Sequence, residues 1–292
     1  MRIAARGLAD VCLVDVIEGW PKGLALDMRH SARLDGFDTA VIGTNDYSDI
    51  AGSDVVVITA GFPRGPGMSR MDLLEKNAEV VSAVAEEIRT HCPEAVVIQV
   101  TNPLDEMTFL AAERCGVPKS RVMGMAGLLD SARLAYYISE ELGVSPLDVD
   151  ALTLGSHGDQ MVPLPRHATV GGQPLPELAD SATLERVFKR TRDAGSEVVA
   201  LLGKGSAFYA PSAAVVKMVE AVLGDTNQVM PVSAWVTGQY GVSDVYLGVP
   251  ARVGAEGVED ILVLDLNDEE LTQLREAAEA IREKCSSLGR WI

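Results

Sequence analysis

The sequence is short of cysteine, of long apolar runs, of aromatics and of positive charge, and each shortage removes a class of protein. Its four cysteines, Cys12, Cys92, Cys115 and Cys285, are scattered through 292 residues without a C-x-x-C pair. That spacing argues against a disulfide framework or a zinc site and fits reduced thiols in a cytoplasm. No stretch approaches the roughly 20 consecutive apolar residues that cross a bilayer, and residues 1–11 lack the apolar centre of a signal peptide. A net charge of −17 argues against nucleic acid and against anionic membrane surfaces, both of which call for basic patches. No metal site is expected. With 47% apolar and 23% charged residues, the remaining class is an ordinary globular protein long enough for two modest domains.

Three short β-branched runs, residues 11–16, 55–60 and 96–101, suit strands buried on both faces of a parallel sheet. Helical patterns at 19–33 and 71–91 separate them, so βαβ units and a doubly wound sheet are expected. Residues 121–125 offer a further strand. The second half differs. A strand is expected at 149–154, helices at 182–202 and 206–223, and β-rich stretches at 229–238, 245–253 and 258–265. A last amphipathic helix at 269–288 is capped by Asn267 or Asp268. The expected architecture is a Rossmann-like doubly wound α/β half, 1–127, followed by an α+β catalytic half, 128–292, with a ligand cleft between them.

The most telling shortage is at the front. A dinucleotide-binding half opens with a strand, G-x-G-x-x-G and a helix, and an acidic residue follows about 20 positions on. Here the acidic residue, Asp15, comes with no glycine fingerprint before it. Residues 1–6 read instead as the tail of the helix that should follow that loop. A frame opened at an internal methionine is favoured over a deletion after Ile3, because the helical pattern runs on smoothly. Without the central first strand, such a chain is expected to fold poorly or to bind NAD weakly.

Chemistry concentrates in four segments. Residues 59–77, TAGFPRGPGMSRMDLLEKN, place Arg64 and Arg70 in a loop rich in glycine and proline, suited to closing over an anion. Residues 100–105, VTNPLD, put Asn102 at the carboxyl end of a strand, where doubly wound sheets bind ligands. In residues 129–133, LDSAR, Asp130 and Arg133 share a helix face. In residues 155–165, GSHGDQMVPLP, His157 lies between glycines that allow a ligand close, and a carboxylate such as Asp130 could hold its other ring nitrogen. Taken singly, each has an ordinary reading: surface loop charges, an Asx turn, an exposed ion pair, a structural histidine. His30, His91 and His167 carry no such context.

Together with GTNDY at 43–47, SDVVVITAG at 53–61, GMAGLLDSAR at 124–133, GSHGDQMVPLPR at 155–166 and SAFYAP at 206–211, these segments resemble the lactate/malate dehydrogenase family, specifically its malate dehydrogenases of lactate-dehydrogenase-like type. The resemblance runs from about Ala4 to the C-terminus and departs from the family only at the missing first strand and glycine loop. It implies NAD-dependent oxidation of (S)-malate to oxaloacetate in a homodimer or homotetramer, with the helix at 19–33 a candidate contact. His157 would be the general base, Asp130 its orienting carboxylate, and Arg70 the group polarising the C2 oxygen. Arg133 and Arg64 would take the two substrate carboxylates, with Asn102 beside the reacting centre. Asp15, Thr59, Ala60, Gly61, Asn77, Val100, Thr101 and Asn102 would contact NAD. Arg64 favours a dicarboxylate over lactate or another 2-hydroxyacid, because pyruvate would leave its charge unpaired. Asp15 favours NAD over NADP by repelling a 2′-phosphate. A non-catalytic dicarboxylate-binding remnant is the rival reading from another class.

Overall fold

The computed structural model describes residues 1–63, 68–203 and 205–292. In chain order the strands are β1 (Val11–Val14), β2 (Val41–Thr44), β3 (Val55–Ile58), β4 (Val96–Gln99), β5 (Val122–Gly124), β6 (Val149–Asp150), β7 (Thr153–Gly155), β8 (Met161–Pro163), β9 (Thr169–Val170), β10 (Gln173–Pro174), β11 (Gln228–Thr237), β12 (Ser243–Gly254) and β13 (Gly257–Ile261). The helices are α1 (Arg2–Ala5), α2 (Trp20–Asp35), α3 (Arg70–His91), α4 (Leu104–Cys115), α5 (Gly127–Leu142), α6 (Leu175–Leu178), α7 (Ser181–Leu202), α8 (Tyr209–Leu223) and α9 (Asp268–Ser286).

Strands β3, β4 and β5 pair in parallel, and the apolar run Val96–Ile98 of β4 has the expected cause. Val96 and Ile98 face a core shared with α8 and α9, while Val97 faces one built by α3 and α4. A strand covered on both faces has no position left for a polar alternation. Leu74, Ala78, Val81, Ala85 and Ile88 recur every three or four residues and form the buried stripe of α3. Ser69 opens that helix with a capping box, its hydroxyl accepting the Asp72 N–H while the Asp72 carboxylate accepts the Ser69 N–H. Asn267 and Glu270 do the same for α9.

Beyond β5 the same sheet continues antiparallel through β11, β12, β7 and β8, with β13 on β12. The two halves therefore share one sheet, joined where Ser233 of β11 pairs with Gly124 of β5. Strands β1 and β2 form a separate parallel pair. Among the described residues no strand pairs with both β1 and β3, although Cys12 and Val14 pack against the same core as Val56.

Two expectations need correction. The single strand expected at 149–154 is two: β6 joins a small sheet with β9 and β10, and β7 joins the main sheet. One apolar run serves two cores here, Val149 packing with Leu134 and Ile138 and Leu154 with the sheet core. Strand β2 and helix α4 had no place among the expected elements. β2 is only four residues long with one exposed isoleucine and a glycine, so it has almost no periodic signal.

Candidate active site

Asp15 follows β1, residues 59–61 follow β3 and residues 100–102 follow β4, so all three sit at the carboxyl edge of parallel strands, the side where such sheets bind ligands. Asp15 is held by its own turn. Its Oδ1 accepts the Ile17 N–H at 2.8 Å, and Asn45 Nδ2 donates to the carbonyls of Asp15 and Ile17 at 2.7 and 2.9 Å. Asn45 was legible only as part of the GTNDY segment; nothing in a lone Asn before Asp marks it as the brace of a neighbouring loop.

The loops after β3 and β4 are fastened to each other. Thr101 Oγ1 donates to the Ala60 carbonyl at 2.7 Å. Asn77, expected among the cofactor contacts, is fully buried and spends its amide on backbone: Oδ1 accepts the Phe62 N–H at 2.7 Å, and Nδ2 donates to the Asn102 carbonyl at 2.6 Å and the Phe62 carbonyl at 3.1 Å. Three of its four hydrogen-bonding positions thus go to backbone, and Asn77 fastens the loop after β3 to the loop after β4. Gly61 completes the fit. Its φ of +149° suits glycine, and a Cβ there would come within 2.5 Å of Thr101 Cγ2 and 2.9 Å of Asn77 Oδ1. Thr59, Ala60 and Asn102 stay exposed and Val100 partly so.

The histidine lies in the turn between β7 and β8. Gly155, at φ +82°, bends the chain out of β7, and Gly248 on the neighbouring strand has no room for a side chain, since a Cβ would fall 2.3 Å from the Gly155 carbonyl oxygen. His157 follows two residues later. Its Nδ1 lies 2.7 Å from Asp130 Oδ2. Asp130 belongs to the first turn of α5, and its side chain is 2% exposed. Arg133, one turn on, places Nη1 3.3 Å from the other oxygen of Asp130. The helix is pinned to the sheet by Ser131 Oγ, which accepts the Thr153 N–H at 2.9 Å. Burial works against a charged imidazole here, but the Asp130 carboxylate opposes it by charge and by hydrogen bond and Asp105 adds to that; despite Arg133, the pKa of His157 ends above the ordinary histidine value. With Nδ1–H donated to Asp130, Nε2 is left as the proton acceptor. Arg64 and the side chain of Arg70 lie outside the described residues.

The donor set suits a nicotinamide dinucleotide at the adenosine end, where a carboxylate at the end of β1 matches a ribose diol, and along the two fastened loops at the other. Such a cofactor supplies a hydride acceptor; Asp15 and residues 59–61 and 100–102 are the groups that would hold it. Among the described residues no group of three or more His, Cys, Asp or Glu side chains is arranged for a metal, and no helix is long and apolar enough to cross a membrane.

A parallel sheet carrying ligand loops on its carboxyl edge, joined to a half that presents a carboxylate-held histidine, defines an α/β dehydrogenase frame. The chain belongs to the lactate/malate dehydrogenase family: the model for the NAD-binding domain matches residues 1–124, and that for the α/β C-terminal domain matches residues 128–288. It is 50% identical over 290 residues to the malate dehydrogenase of Trichormus variabilis, covering 99% of this chain and 89% of that one. The crystal structure of Salinibacter ruber malate dehydrogenase superposes with a TM-score of 0.94 at 46% identity, covering 99% of this chain and 92% of that one. The lactate dehydrogenase of Cryptosporidium parvum, complexed with lactic acid and nicotinamide adenine dinucleotide, matches with a TM-score of 0.95 at 44% identity over the same shares of the two chains.

Proposed function

We propose that this chain is an NAD-dependent enzyme that interconverts (S)-malate and oxaloacetate, its cofactor half running to residue 127 and its catalytic half from 128. The observation that carries the reading is the His157–Asp130 pair, flanked by Arg133 and tied through the His157 N–H to Asp105, three residues past Asn102. NAD, held by the loops after β1, β3 and β4, would supply the acceptor for the hydride at C2 of malate. His157 Nε2 takes the proton of the C2 hydroxyl, and Asp130 stabilises the imidazolium that results. Arg133 grips the C1 carboxylate and Arg64 the C4 carboxylate. Arg70 polarises the C2 oxygen as it becomes a carbonyl, and Asn102 donates to the same region. Asp15 takes the adenosine ribose.

The frame is shared with relatives named for either substrate, so the choice rests on Arg64. In steady-state assays with NADH, kcat/KM for oxaloacetate is expected to exceed that for pyruvate by about 10–200-fold or more. Equal values, or no turnover of oxaloacetate beside a measurable NADH affinity, would remove the assignment.

The chain also carries the signs of self-association. Ile17, Trp20 and Leu24 are exposed, and Trp20 and Leu24 share one face of α2; Val199, Leu201 and Leu202 are exposed at the end of α7. Apolar side chains so placed support a homodimer or homotetramer, and light scattering should return a multiple of the chain mass that Trp20→Glu reduces. A single-chain mass would count against it. The four free cysteines support a cytoplasmic setting.

A further inference from the structure

Among the buried carboxylates that the mechanism above leaves unused, one touches the base itself. Asp105, in the first turn of α4, is 2% exposed. Its Oδ2 accepts the backbone N–H of His157 at 2.9 Å, and its Oδ1 accepts the hydroxyl of Ser233, itself fully buried on β11, at 2.7 Å. We propose that Asp105 is a positioning residue for His157: it pins the backbone end of the histidine while Asp130 pins the ring, and its charge supports the imidazolium form. The inference rests on the reading of His157 as the base and adds a second carboxylate to it.

The geometry favours this over a merely structural role. Asp105 comes from the cofactor half, His157 and Ser233 from the other, so one side chain ties the base to both halves at once. A neutral asparagine could meet the same two partners, its carbonyl accepting from the His157 N–H and its amide donating to Ser233. A carboxylate so deep in the fold is disfavoured as a charge: burial first, and then the neighbouring Glu106, push its pKa up to about 6, against the Ser233 and His157 hydrogen bonds that lower it. Retaining a charge where an amide would serve the packing points to a use for the charge.

The surrounding groups are few enough for a clean test. On α4 itself stands Glu106, whose Oε1 is 3.0 Å from Lys284 Nζ on α9. Cys285 of α9 senses both carboxylates, and its own thiol is held neutral. Ser233 faces Asp105 from β11, and Asp130 and Arg133 face His157 from α5.

The experiment is an NMR titration of the His157 ring protons in the purified protein, assigned by their loss in His157→Gln, for wild type, Asp105→Asn and Ser233→Ala. Asp105→Asn should lower the His157 pKa by roughly one unit. Ser233→Ala, which weakens the support of the charged carboxylate, should move it the same way by less. An unshifted His157 in Asp105→Asn overturns the proposal, and if that variant does not fold, an unshifted His157 in Ser233→Ala overturns it. Where oxaloacetate is turned over, the acid limb of kcat/KM for malate oxidation should fall by the same amount in Asp105→Asn. The titration needs no turnover, so an inactive wild type would sink the functional reading while the coupling between Asp105 and His157 remained measurable.

Discussion

His157→Gln is expected to lower kcat for malate oxidation by about 10²–10⁴-fold, the usual worth of a positioned general base. Glutamine can occupy the turn between β7 and β8 and keep a hydrogen bond toward Asp130, but it cannot accept a proton, so the loss should appear in kcat and leave KM for malate far less changed. Asp130→Asn should cost a similar factor for a different reason. An amide facing Nδ1 can bind the wrong tautomer, and it withdraws the charge that stabilises the imidazolium. The pH profile separates the two effects. Oxidation needs the neutral ring, so its rate falls as pH drops through the His157 pKa; reduction of oxaloacetate needs the charged ring and falls as pH rises through the same value. Because that pKa is raised, both limbs should lie above the ordinary value of about 6.5 in the wild type and move downward in Asp130→Asn. Steady-state kcat/KM measured in both directions between pH 5 and 9 would show it. A kcat within tenfold of wild type in His157→Gln, or unmoved limbs in Asp130→Asn, would mean the base is elsewhere.

What could be read before any coordinates depended on whether a residue's role left a local pattern. The strands at the front were legible because a strand covered on both faces must be apolar throughout, and α3 because its buried stripe repeats at helical spacing. The division of 149–154 was not, because Val149 and Leu154 are equally apolar whichever core they enter. The resemblance names Asn77 as a cofactor contact; its three backbone hydrogen bonds, which fasten two loops, left no mark in the sequence. Asp105 stood inside the VTNPLD segment, but its role left no local pattern. An acidic residue in the first turn of a helix is the commonest of placements, favoured by the helix dipole, and its partners lie 52 and 128 positions away. The pairing of His157 with Asp130, 27 residues apart, was accessible as a chemical requirement, a base needing a carboxylate, and through the resemblance, but not from any local pattern.

Arg64→Gln is expected to lower the ratio of kcat/KM for oxaloacetate to that for pyruvate by about 10²-fold or more, through two terms that act in the same direction. Arg64 lies outside the described residues, so the argument is one of charge and size. Oxaloacetate brings a second carboxylate that a guanidinium can meet with two parallel hydrogen bonds, and in a closed, water-poor site that pair strengthens the transition state. Glutamine offers one neutral donor in its place. Pyruvate brings a methyl group, against which the wild-type arginine is left partly desolvated and unpaired, at a cost of about 1–3 kcal/mol that glutamine removes. The two terms predict different signatures. Loss of the ion pair should appear as a fall in kcat/KM for oxaloacetate, relief of the stranded charge as a rise for pyruvate. Arg64→Lys distinguishes them: it keeps the charge and so should still reject pyruvate, while losing part of the oxaloacetate rate because an ammonium cannot reproduce the planar fork. If Arg64→Gln left both specificity constants unchanged, the second carboxylate would have to be held by another group, and the preference for a four-carbon dicarboxylate would lose its physical basis.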